Sequence, residues 1–248
     1  MTAVKRRALA AQTRTEVLLT LRRGESVLLT LGIPVLLLVF LSLADVLPLP
    51  DGVDDPVDYL FPGILALAVL SAALVGPAIA TGFEREYGVL KRLGATPLGR
   101  PAIVVAKIVA VVAIELVQVV VLTGIALALG WRPDGAEVGV ALGGILLATV
   151  AFAGAGLLLG GTLPGLTTLA AANGLYVVLL LVGGMVFPLD ELPSGLRAVA
   201  RLLPSAALAE ILQHALRPGV DLAGRAWVVL LVWAVALPPL AARWFRWR

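Results

Sequence analysis

From residue 138 to residue 189 the chain runs for 52 residues without a charged side chain. A helix that crosses a bilayer core needs roughly 20 apolar residues. The run is therefore too long for one span and of a suitable length for two. The stretch Thr162-Leu163-Pro164-Gly165 divides it, because proline and glycine together punctuate helices.

Similar runs recur along the chain. Residues 26–44 and 59–83 are uncharged, residues 108–131 carry Glu115 alone, and residues 226–242 form a last run that extends back through Leu222. The composition agrees, with 60% hydrophobic and 14% charged residues, against roughly 25% charged in a soluble domain. The reading is an all-α polytopic membrane protein, a single transmembrane domain over residues 1–248. Its six expected spans are 26–44, 59–83, 108–131, 138–161, 166–188 and 222–242. Trp227, Trp233 and Trp244 are candidates to anchor the last span at the interfaces. Residues 1–24 mix basic side chains with Leu9, Val17, Leu18, Leu19 and Leu21, the pattern of a helix lying on a membrane surface, with a disordered basic tail as the alternative.

The loops set an orientation. Six basic residues precede the first run. Arg85, Lys91, Arg92, Arg100 and Lys107 lie between the second and third, and Arg243, Arg246 and Arg248 follow the last. The first opposite loop holds Asp45, Asp51, Asp54, Asp55 and Asp58 and no basic residue. The excess of positive charge inside then places both termini in the cytoplasm of a cell whose plasma membrane the chain crosses.

Several chemistries are excluded. The chain has no cysteine and a single histidine, His214, so disulfides, thiolate sites and multi-histidine metal or haem sites drop out. The G-x-x-x-x-G-K-[ST] cradle for ATP phosphates is absent, and the three lysines Lys5, Lys91 and Lys107 lie in no such motif. Intramembrane serine-protease and zinc-protease patterns are also missing. The net charge of +3 does not point to nucleic acid.

Two segments and a few polar positions carry information. In FEREYGVLKRLGATPLGR, residues 83–100, Tyr87, Leu90 and Leu93 share a helical face, and Thr96-Pro97 should end the helix. Such a helix can dock into a partner's groove or simply join two spans. In residues 183–216, apolar positions recur at helical spacing between Pro188, Pro193 and Pro204, which predicts two short amphipathic helices at the outer leaflet. Glu210 and His214 are spaced to pair on a helix surface. Glu115 lies near the bilayer middle with Gln118 one turn on. It either lines a substrate path or dimer interface, or packs as a hydrogen-bonded group. A proton-coupled secondary transporter working through Glu115 is the alternative function that this carboxylate raises. Asn173 suits helix-to-helix hydrogen bonding. Gly154, Gly156, Gly160 and Gly161 permit close helix approach.

Three blocks carry a resemblance to a known family. They are LAAQTRTEVLLTLRRGESVLLTLGIPVLLLVF, FEREYGVLKRLGATPLGRPAIVVAK and GGMVFPLDELPSGLRAVARLLPSAAL. Together they resemble the permease subunit of bacterial ABC-2 type ABC exporters, similar to the daunorubicin-resistance permease group. The resemblance implies an efflux permease that moves a hydrophobic or amphiphilic substrate, such as a drug, lipid or glycan. It implies a second permease copy, identical or related, and a separate ATP-binding subunit that holds ATP and Mg, with no cofactor and no catalysis in this chain. Residues 1–24 would be the elbow helix, 84–100 the coupling segment and 189–217 the re-entrant outer helices. Glu84, Arg85, Glu86, Tyr87, Gly88, Leu90, Arg92 and Leu93 would engage the ATP-binding subunit. Val89 departs from the family block, where threonine is common, as does Ala206-Ala207 after Pro204-Ser205.

Overall fold

The computed structural model describes residues 3–22, 24–44, 55–95, 99–185, 188–217, 219–220 and 224–246. Asp45, Asp51 and Asp54 of the acidic loop, the Thr96-Pro97 stop and Arg248 lie outside them. Every regular element among the described residues is helical. Five helices are long and apolar enough to cross a membrane, and an earlier helix contributes a shorter apolar stretch, Thr30–Leu43.

The chain opens with α1 (Ala3–Arg22) and α2 (Gly24–Leu43). The second apolar run forms one continuous helical rod: α3 (Pro56–Leu70), a π-helical turn (Ser71–Val75) and α4 (Gly76–Glu86). Pro77 explains the turn. Its ring lacks the N–H that would bond one turn back and clashes with the carbonyl there, and a wider π-turn absorbs the mismatch.

The rod ends at Tyr87-Gly88, and a short helix, α5 (Val89–Gly94), follows. The single helix expected over residues 84–93 is therefore broken. Gly88 sits at φ 71°, a left-handed conformation that residues with a Cβ adopt only at a cost.

Next come α6 (Arg100–Ala128), α7 (Val138–Thr162) and α8 (Gly165–Val182). The helix of the third expected span begins eight residues before residue 108, with Pro101 in its first turn. Lys107 does not stop it because the protein satisfies that charge internally. α8 ends short of residue 188, where Gly184 turns the chain at φ 66°.

After a 3-10 turn (Leu189–Glu191) come α9 (Ser194–Ala200), α10 (Pro204–Leu216) and α11 (Gly224–Trp244). The two short helices expected between the last spans are present, but they differ in kind. On α9, Leu196 and Val199 face outward, as an interfacial helix should. α10 is instead core: Ala206, Ala207, Leu208, Ile211, Leu212 and Ala215 are all buried.

α7 is the hub, packed by α4, α10 and α11. In lipid, helices associate through close van der Waals contact rather than a hydrophobic drive, and small residues permit it. A Cβ on Gly156 would lie 2.4 Å from Leu74 O, and one on Gly160 would lie 2.4 Å from Ala78 O. These two glycines, four residues apart, let the second rod lie backbone to backbone on α7. Gly154 and Gly161 face α11 and Phe245 in the same way.

The end of the bundle near α10 is closed by polar ties. Glu137 N–H donates to Ala215 O at 2.7 Å, and Gln213 Nε2 donates to Tyr59 O at 3.2 Å. Arg217 lies over the Tyr59 ring at 5.2 Å. The expected Glu210–His214 pair is not made. Glu210 binds Arg225 at 2.8 Å, and His214 Nε2 lies 3.9 Å from Glu137. Of the tryptophans, Trp233 donates to Leu202 O at 2.9 Å, fastening α11 to the α9–α10 link. Trp227 packs against the core beside Gly143.

Candidate functional site at the end of the second rod

The three charged residues that close the rod each face a different helix. Glu84 Oε2 accepts from Lys107 Nζ of α6 at 2.7 Å. Arg85 reaches the last turn of α7, donating to Gly161 O at 3.4 Å, where a cation suits the negative end of the helix dipole. Glu86 lies at the start of α8, so close that a Cβ on Gly165 would stand 2.3 Å from its Oε2. A carboxylate there faces the positive end of that helix. Glu84 and Arg85 thus tie the junction to α6 and α7, while Glu86 lies exposed beside the start of α8.

Lys107 is the centre of a larger arrangement. Its ammonium also lies 3.1 Å from Glu16 Oε1 on α1, and its side chain is only 4% exposed. Gln12 Nε2 supports the same carboxylate at 2.9 Å. Two carboxylates around one ammonium offset much of the cost of burying it. Removing one member of such a buried group typically costs about 3–5 kcal/mol. A cavity of about 100 Å³ adjoins this group, walled in part by Thr20, Gly76, Pro77 and Val111.

The apolar residues of the junction divide between two directions. Leu90 is fully buried with Ile103 and Phe245, and Ala8, Leu9 and Leu93 pack against that cluster. Leu90 therefore fills a groove of this chain, and Leu93 packs partly buried at its edge. The first helix and the last described residues meet here, at the same end of the bundle. Tyr87, by contrast, is 71% exposed. It stacks on Phe83 with ring centroids 6.0 Å apart. Val89, Lys91 and Arg92 are also exposed.

The mid-membrane candidates are not brought together. Glu115 is 2% exposed and accepts a hydrogen bond from Thr149 Oγ1 of α7. Gln118 donates to Thr30 O of α2 at 2.9 Å. Both fasten α6 to neighbouring helices of the same chain, while Glu115 Oε1 and Gln118 Oε1 take no hydrogen bond among the described residues. Asn173 lies on the exposed side of α8 and donates to Leu169 O of its own helix at 2.8 Å.

Two residues that organise the site went unnoticed in sequence. Glu16 was the lone acid among the first 24 residues, which was the available signal. Thr149 gave none.

A helical bundle of membrane-spanning length, with a short helical turn held beside the first helix and Phe245, defines a polytopic membrane domain. The ABC-2 type transporter family model matches residues 7–216, and the chain belongs to that family. It is the membrane-spanning permease component of an ABC transporter. No curated protein matches the chain significantly.

Proposed function

We propose that this chain is the membrane half of an ATP-driven exporter, with both termini and the 84–100 segment in the cytoplasm. A separate ATP-binding subunit, carrying ATP and Mg, docks under the turn between α4 and α5. A second permease copy completes the path, and the six expected spans include α2. The substrate is hydrophobic or amphiphilic, taken from the bilayer, as in the daunorubicin-resistance group that the sequence resembles.

The observation that carries this reading is Tyr87. A large aromatic ring, 71% exposed, stands on a turn whose neighbours are tied to α6 and α7. Aromatic anchors dominate protein interfaces. Val89, Lys91 and Arg92 flank it, so the ring is surrounded by charge that would set register. A push on Tyr87 would be delivered to several spans at once.

Glu115 serves packing in this reading, since its partner is Thr149 of the same chain. The proton-coupled alternative has no support beyond that one carboxylate.

The test is capture of the ATP-binding subunit. Tyr87→Ala should weaken co-purification about ten-fold or more, as loss of a central aromatic anchor does, while leaving membrane insertion intact. Equal capture by the parent and Tyr87→Ala would remove this turn from the interface.

A further inference from the structure

We propose that Lys107 makes the elbow helix α1 and the α4–α5 turn one mechanical unit, with Lys107 as its positioning residue. This rests on the coupling role proposed above for that turn. The inference adds α1 to the parts that must move when the ATP-binding subunit closes.

Two independent contacts carry it. The first is ionic: Lys107 Nζ lies 3.1 Å from Glu16 on α1 and 2.7 Å from Glu84 at the end of α4. The second is apolar: Leu90 and Leu93 of α5 share a cluster with Ala8 and Leu9 of α1. The two lie on either side of the turn, so α1 is held at two points along its length. One fixes distance through charge and the other through shape.

The surroundings favour joint movement over a fixed wall. The charge group borders a cavity of about 100 Å³ lined on another side by Gly76 and Pro77, next to the π-turn. Leu18 and Leu19 of α1 face outward, where a slippery lipid contact resists sliding little. A buried ion group adds little net stability over an apolar one, and its best-attested use is to fix register. Here it fixes the register of α1 against the turn.

The absence of native cysteine allows a direct test. Spin labels are placed at Ala11 and Ala95, both exposed, and their separation is measured in lipid nanodiscs. It is measured for the permease alone and for the complex trapped with ADP and vanadate. The parent should give one narrow distance in both states. Glu16→Ala removes the anchor on α1 and leaves a neutral Lys107–Glu84 pair, so the buried ammonium keeps a carboxylate partner. It should lose the single narrow distance, most strongly in the trapped complex. Lys107→Arg, made alone, keeps the charge and both carboxylate partners and should retain the parent's narrow distance. A Glu16→Ala permease that holds the parent's narrow distance in both states would overturn the proposal. So would a parent whose distance changes on trapping. If no ATP-binding subunit can be captured, the transport reading fails separately, because the permease alone still reports whether Glu16 holds α1 to the turn.

Discussion

Lys107 shows how one side chain can join helices far apart in sequence. Its partners sit 91 and 23 residues away, and no local pattern announces either. Glu115 shows the reverse case. Its place inside an apolar helix was legible from hydropathy alone, but what it binds was not, because Thr149 sits on another helix. The hydrogen bond between them predicts a modest structural effect. Thr149→Val should lower stability by about 1 kcal/mol, the scale of interhelical hydrogen bonds in membranes. Thermal unfolding of the purified permease in detergent measures it. Glu115→Gln, which keeps an acceptor for the Thr149 hydroxyl, should unfold close to the parent. If Glu115→Gln instead unfolds far earlier while Thr149→Val is silent, the carboxylate has another partner and the packing assignment is wrong.

At the scale of elements, the apolar spans followed from composition because lipid leaves a long uncharged run little choice but helix. Boundaries followed less well. α6 starts early because Pro101 suits a first turn and Lys107 is satisfied inside. The turn after α4 was misjudged because a face of Tyr87, Leu90 and Leu93 is regular only if the helix runs through Gly88. A glycine inside a helical pattern was the warning, and its φ of 71° is the reason. An L-residue in that region costs roughly 1–2 kcal/mol. Gly88→Ala should therefore destabilise the junction. Gly124→Ala is the control, since Gly124 lies within a helix and a Cβ there meets nothing within 4 Å. Unfolding midpoints of the two variants give the comparison. A Gly88→Ala permease as stable as the Gly124→Ala control would mean that the turn tolerates a continuous helix. Likewise α10 reads as amphipathic in sequence, yet its alanines let it sink into the bundle against α7, a tertiary choice that periodicity cannot record.

For the whole molecule, the structure gathers α1, the α4–α5 turn and Phe245 at one end and the α10 ties at the other. The distribution of charge assigns the first of these ends to the cytoplasm. Single cysteines at Ala95 and Gly195, both exposed, test it in intact cells with an impermeant maleimide. Labelling at position 195 and protection at position 95 is expected; the opposite pattern would invert the topology. The central claim is that a separate ATP-binding subunit drives transport through the Tyr87 turn. The direct measurement is movement of a panel of lipophilic dyes in proteoliposomes holding permease and ATP-binding subunit together. The complex is supplied either with ATP and Mg or with an imposed proton gradient and no nucleotide. The account predicts dye movement with ATP alone, lost in Tyr87→Ala. Movement driven by the proton gradient without ATP, and abolished by Glu115→Gln, would contradict it.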